Sequence, residues 1–265
     1  MCGRPGLTYL TDDINACAET VQKGDPDRFM AVMSARPEQR APLFILYAFN
    51  LEVARAAWAS QEPMVGQMRL QFWRDVVESA NSDAVPGAHE VARPLTLLIR
   101  EKGLDASVLD DLISARWWDL NKDPFADEIA FHAHIAATSG GLMRLAAKSL
   151  GAPDALMQDI GVIGNSHGIV TWFQAIPELE SRGRQPLHDG RLETVRDLAT
   201  TALHNLNAVH FTRAPWCAAL RSAWQTKALL KQIKAQPERV AQGAVGLSEF
   251  HKKRSLFFKT LVGRY

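Results

Sequence analysis

Apolar positions recur three and four residues apart along almost the whole chain, and Gly, Pro and Asp residues cut that pattern into helix-length pieces. The pieces predict helices over residues 11–23, 27–34, 37–60, 64–80, 91–102, 106–121, 127–150, 154–176, 192–211, 216–235 and 247–262. Residues 81–89 are rich in turn formers and read as a loop. No segment shows the apolar–polar alternation of a strand, so the fold class is all-α. Two helices stand out. Residues 37–60 carry the run Ala41-Pro-Leu-Phe-Ile-Leu-Tyr-Ala-Phe49, apolar all round, which places this helix inside the molecule. Residues 154–176 put Gly161, Gly164 and Gly168 on one face, where a neighbouring helix can approach closely. That helix is expected to stop at Pro177 and pass into a charged loop, Glu178-Leu-Glu-Ser-Arg-Gly-Arg184. Such a loop is either a site for an anionic ligand at a cavity mouth or a solvated helix end.

Polar groups inside this apolar frame are the candidate chemistry. Tyr47, Asn50 and Glu52 lie on the buried helix, and a buried carboxylate needs a cation or a donor. Arg69 and Arg74 on the next helix are the natural partners for Glu52. The set reads equally as a structural ion pair or as the lining of a cavity. His167, beside Gly168, is either a satisfied core histidine or a cavity donor, with Thr171 one turn on. His132 and His134 are two residues apart, point away from each other on a helix, and read as surface histidines. Asp110, Asp111 and Asp119 lack metal-ligand spacing and read as a solvated helix face.

Composition narrows the class. With 47% hydrophobic and 22% charged residues the sequence is that of a soluble globular protein, and 265 residues fit one domain spanning 1–265. No run of 18 apolar residues predicts a membrane span, and the N-terminal stretch has neither a signal-peptide core nor a transit pattern. Cys2, Cys17 and Cys217 are far apart and read as ordinary thiols. The net charge is only +1, yet residues 227–265 hold nine Lys and Arg against Glu238 and Glu249, which leaves the remainder acidic. This basic end is either a solvated face or a contact for anionic lipid or an acidic partner. No aromatic-interleaved basic motif favours nucleic acid.

Several segments resemble the squalene/phytoene synthase family. Residues 164–188 lay without a gap onto that family's second aspartate-rich segment, matching at Gly164, Glu178, Arg182, Gly183, Arg184 and Leu187. Leu46-Tyr-Ala-Phe49 matches the start of the first such segment, and Arg69-Leu-Gln-Phe-Trp-Arg74 is close to the family's R-L-Q-W-W-R. His134-Ile-Ala-Ala-Thr-Ser-Gly140 and Trp118-Asp-Leu120 fit further positions, with Phe131 where the family has a substrate-facing tyrosine. The resemblance covers residues 25–187, with an echo in Gly263-Arg-Tyr265. It implies an all-α, single-domain isoprenoid synthase fold, its central cavity lying between residues 37–60, 64–80, 127–150 and 154–176.

The same resemblance implies a reaction in which magnesium, held between aspartate pairs on facing helices, stabilises a leaving diphosphate. Here the first pair falls on Ala54 and Trp58 and the second on Ala175 and Leu179. Glu52 is turned by about 200° from the first pair's face. One branch of the family, which includes the assembly factor of mitochondrial respiratory complex I and its bacterial relatives, shares this loss. Ala48-Phe-Asn-Leu-Glu52, Gly66-Gln-Met-Arg-Leu-Gln-Phe-Trp73 and Gly168-Ile-Val-Thr171 resemble it specifically.

The resemblance therefore implies a non-catalytic protein without cofactor or metal. It would act with respiratory complex I subunits or assembly proteins, or hold an isoprenoid or lipid ligand. Its place would be cytoplasmic or peripheral on the inner membrane (the matrix side in a eukaryote), with residues 247–265 as the membrane contact. The alternative is a magnesium-dependent prenyl transferase using Glu52, Glu178 and Glu180. Cavity candidates are Tyr47, Asn50, Glu52, Arg69, Arg74, His167, Thr171, Glu178, Arg182 and Arg184.

Overall fold

The computed structural model describes residues 10–58, 62–82, 85–121 and 123–262. Cys2, residues 59–60 of the helix expected at 37–60, part of the 81–89 loop and Gly263-Arg-Tyr265 lie outside them. All regular structure among the described residues is helical. In chain order the helices are α1 (Thr11–Gly24), α2 (Pro26–Met33), α3 (Pro37–Arg55), α4 (Pro63–Ser79), α5 (Ala92–Lys102), α6 (Ala106–Ala115), α7 (Trp117–Leu120) and α8 (Glu128–Ile135). They continue as α9 (Gly141–Ser149), α10 (Met157–Ser181), α11 (Leu192–Ala208), α12 (Cys217–Leu220), α13 (Thr226–Ala235), α14 (Glu238–Ala241) and α15 (Glu249–Val262). Pro26, Pro37 and Pro63 occupy first turns, where a missing N–H costs nothing.

α3 is buried from Pro42 to Asn50 and packs against α1, α5 and α9, as an all-apolar helix must. α10 packs on α8, α9 and α11. The glycine face of α10 meets a widened π-turn, Ala136–Gly140, between α8 and α9. A Cβ added at Gly164 would sit 2.8 Å from the Ser139 carbonyl oxygen and 2.9 Å from Gly140 Cα, and one at Gly168 would sit 2.6 Å from Ser139 Cβ. Only hydrogen at these positions allows the two backbones to approach so closely.

Four expectations about the elements change. α10 does not stop at Pro177 but continues to Ser181, although the proline gives up its bond to the Phe173 carbonyl. Packing holds the turn in place: Ile176 and Leu179 are buried, and Pro177 lies against Gly243 beside α14. The helix expected over 106–121 breaks at Arg116, where α7 begins at an angle that turns Asp119 inward. The helix expected over 216–235 is interrupted by a 3-10 turn at Arg221–Ala223. His134 and Asp119, both read as surface residues, are buried.

Candidate functional site

Two small cavities lie at the centre, between α2, α3, α10 and the α12–α13 junction. One of about 10 Å³ is lined by Arg28, Tyr47, Ser139, Met143, His167 and Ser222. The other, of about 80 Å³, shares Arg28, His167 and Ser222 and reaches Asp25, Thr171 and Gln225. Of the ten candidates, the structure gathers Tyr47, His167 and Thr171 here. Tyr47 is buried, its hydroxyl donates to the Ala219 carbonyl at 3.4 Å, and Arg28 stacks on its ring with the guanidinium carbon 4.9 Å from the centroid. Burial pushes the Tyr47 phenol up. His167 Nδ1 lies 3.2 Å from Thr226 Oγ1. Burial, with Arg28 adding to it, pushes the imidazole down to about 4, so at neutral pH it is an uncharged ring. Thr171 Oγ1 donates to the Gly168 carbonyl of its own helix.

Arg28 lines both cavities. It is paired with Asp25 at 3.4 Å, while Asp27 accepts from Gln225 at 2.8 Å and pairs with Lys252 at 3.1 Å. Sequence reading missed this group because Asp25-Pro-Asp27 looked like punctuation before a helix. Asp25 does cap α2 through the Arg28 amide. The available signal was an arginine at the start of a short helix next to an apolar one, with no acidic residue at i+4 to occupy it.

The remaining candidates do not line this cavity. Arg74 pairs with Asp110 at 2.7 Å on the α4–α6 contact, so it is not the partner of Glu52. Arg69 is exposed on α4, and Glu52 is half-buried on α3. The expected Glu52–arginine pair is thus absent among the described residues, because α4 turns Arg69 outward and α6 claims Arg74. Asn50 is buried one turn from Tyr47.

The segment from Glu178 to Arg184 is the end of a helix, not a loop at a mouth. Gly183, at φ 74°, closes α10: the Gly183 amide donates to the Glu180 carbonyl and the Arg184 amide to the Leu179 carbonyl. Two such bonds around a left-handed glycine form a Schellman stop. The stop sends the two arginines in opposite directions. Arg184 turns inward and is buried, with its guanidinium 4.2 Å from the Trp118 ring centroid. It donates to the carbonyls of Trp118 at 2.5 Å and Asp119 at 3.3 Å. Burial pushes the Asp119 carboxyl up against the pull of Arg116, its 3.4 Å partner. Trp118 continues into an aromatic cluster with Phe125, Phe131, His134 and Trp172. There burial pushes the His134 imidazole down to about 3, and Arg116 adds to the effect.

Arg182 turns outward. It pairs with Glu178 at 2.6 Å and lies 4.6 Å over the ring of Trp58. Trp58 stands where the resemblance puts one aspartate of the first pair, and Arg182 belongs to the helix end where it puts the second pair. A protein cation therefore bridges the two banks. Leu179 is buried in the core, and Ala175 packs against it. No group of three or more His, Cys, Asp or Glu side chains that could hold a metal ion occurs among the described residues. Glu178 is engaged by Arg182. The donor set does not fit magnesium.

Residues 21–247 match the squalene/phytoene synthase family. "NADH dehydrogenase (ubiquinone) complex I, assembly factor 6" of Bos taurus is 30% identical over 170 residues, 63% of this chain and 50% of that protein. The Homo sapiens protein of the same name is 26% identical over 199 residues, 74% of this chain and 56% of that protein. The chain thus spans about half the length of these curated relatives. A dehydrosqualene synthase structure superposes with a TM-score of 0.80 at 13% identity, covering 98% of this chain and 99% of that one. Squalene synthase HpnC from Alicyclobacillus acidocaldarius superposes with a TM-score of 0.70 at 16% identity, covering 87% and 96%. The two superpositions establish the isoprenoid synthase fold.

Proposed function

The chain belongs to the squalene/phytoene synthase family, and from that premise we propose that it is a non-catalytic member acting in respiratory complex I assembly. The observation that carries this reading is the Arg182–Trp58 contact across the emptied metal banks. Ionising an allylic diphosphate needs divalent metal where charge develops on the leaving group. Here one side offers Trp58 and Ala54, the other Leu179 and Ala175, and the cation between them is a guanidinium already paired with Glu178. The centre, at about 10 and 80 Å³, is also too small for a prenyl chain in this conformation. The name of the curated relatives supports the assembly role.

The test has two arms. Purified protein is incubated with farnesyl diphosphate, with and without magnesium; diphosphate release abolished by a chelator would overturn the non-catalytic reading. In a strain lacking the gene, native gels should show subassemblies of the NADH dehydrogenase in place of the full complex, while squalene and carotenoid levels stay unchanged. A fully assembled complex would overturn the assembly role.

We also propose that the protein touches the membrane peripherally through α15. No helix among the described residues is long and apolar enough to cross a membrane. Phe250, Phe257 and Leu261 lie on one exposed line of α15, at i, i+7 and i+11, flanked by Arg254 and Lys253. An exposed apolar line edged with basic residues suits an anionic bilayer surface. Cosedimentation with anionic vesicles should fall with added salt and be lost in Phe257→Ser/Leu261→Ser. Binding insensitive to both would remove the contact.

A further inference from the structure

A roomier void lies away from the centre. A half-open groove of about 700 Å³ runs between α10, α11, α13 and α15, within the roughly 300–1,000 Å³ range of small-molecule sites. Its floor is apolar, built from Ile163, Leu206, Val209 and Ala223, and Phe258 and Val262 of α15 form a wall. Phe258 and Val262 are 56% and 54% exposed, although each faces a space that an apolar body would fill. These residues are distinct from the outward line Phe250–Phe257–Leu261.

Polar chemistry converges at one end. Lys227 and Lys259 both line the groove, and no Asp or Glu is among its lining residues. Lys259 Nζ donates to the Trp224 carbonyl at 2.8 Å, a neutral partner, and no carboxylate among the described residues pairs with it. Burial pushes this ammonium down to about 8, and the charge of Lys227 adds to the effect. Two mutually repelling ammonium groups beside an apolar trench call for one anion attached to one apolar chain.

We propose that this groove binds a long-chain fatty-acid anion, its tail along Ile163, Leu206 and Phe258 and its carboxylate between Lys227 and Lys259. The carboxylate supplies the missing counter-charge to both amines, and the tail covers the exposed faces of Phe258 and Val262. This site is separate from the central cavity and does not rest on the assembly role.

The test uses full-length protein and the fluorescent probe dansyl-undecanoate, in the absence of vesicles. Saturable binding displaced by oleate is expected, with oleyl alcohol at least roughly tenfold weaker, because the alcohol offers no charge to the amines. Lys227→Glu, on the exposed side of α13, should weaken binding by roughly tenfold or more. Lys231→Glu makes the same charge change one turn further along the same helix, away from the groove, and should leave binding intact. Asn207→Trp, which fills the groove from α11 without altering charge, should also weaken binding. Absence of probe binding, equal competition by oleyl alcohol, or equal losses in Lys227→Glu and Lys231→Glu would each overturn the proposal. Dodecyl phosphate displacing the probe more than roughly tenfold better than oleate would reassign the head group and overturn the carboxylate assignment.

Discussion

The central cavities and the groove beside α15 differ in every respect that matters to a ligand. The central pair is small, lined by Arg28, Tyr47 and His167, and stoppered by side chains of the protein itself. The groove beside α15 is roomy, apolar on its floor and cationic at one end. A fold can therefore keep its helices in family order while its centre is filled by the chain's own side chains. The centre has become part of the hydrophobic and polar core, and the accessible volume lies at the periphery.

Several experiments would sharpen or break that contrast. The largest effect is expected from Tyr47→Ala, which removes a buried ring and reopens the centre; a loss of about 3–5 kcal/mol in denaturant unfolding follows if the ring acts as core. An unchanged midpoint would mean that the centre is still a site tuned for occupancy. Gly164→Ala places a methyl against the Ser139 carbonyl and Gly140 Cα, and should cost about 1–3 kcal/mol. If it costs nothing, the seam that closes the centre is looser than its distances imply.

The pH dependence follows from His167 and His134, held down to about 4 and about 3 by burial. In the unfolded chain both take up a proton near pH 6.5, so from pH 6.5 down to 4 the unfolded state binds more protons. Stability should then fall as pH is lowered, by up to about 1.4 kcal/mol per pH unit for each ring, and be flat in this term above pH 7. His167→Asn should reduce that slope, whereas mutations in the α15 groove should leave it alone. Arg69→Ala is expected to have the smallest effect, within about 0.5 kcal/mol, since Arg69 is exposed and lines neither void.

Much of the frame was legible because periodicity reports burial. The all-round apolar run of α3 and the glycine face of α10 are statements about what each helix touches, and the structure places both at the heart of the packing. The misread parts are those where tertiary contacts override local rules. Pro177 should end a helix, yet Ile176, Leu179 and the α14 contact carry α10 past it. Asp119 and His134 sit in sequences that look solvated, but each is drawn inward by partners 9 to 65 residues away: His134 by Phe125 and Trp172, Asp119 by the Arg184 contact to its carbonyl. The pairing of Arg74 with Asp110 spans 36 residues, and no local pattern distinguishes it from a pairing with Glu52. The site suffered most because its key residue, Arg28, acquires meaning only once α2 is laid against the turn at Arg221–Ala223.

That last contact has a temporal consequence. The wall of the centre is tied by Gln225 to Asp27 across 198 residues, by Arg221 to the Ser34 carbonyl across 187, and by Lys252 to Asp27 across 225. A chain emerging from the ribosome can form α3 and its early partners well before these ties exist. The interior then closes only once residues 221–252 have been made, so the nascent protein passes through a stage with its middle exposed. Arrival of these distant segments, not local helix formation, is the step that shuts this molecule.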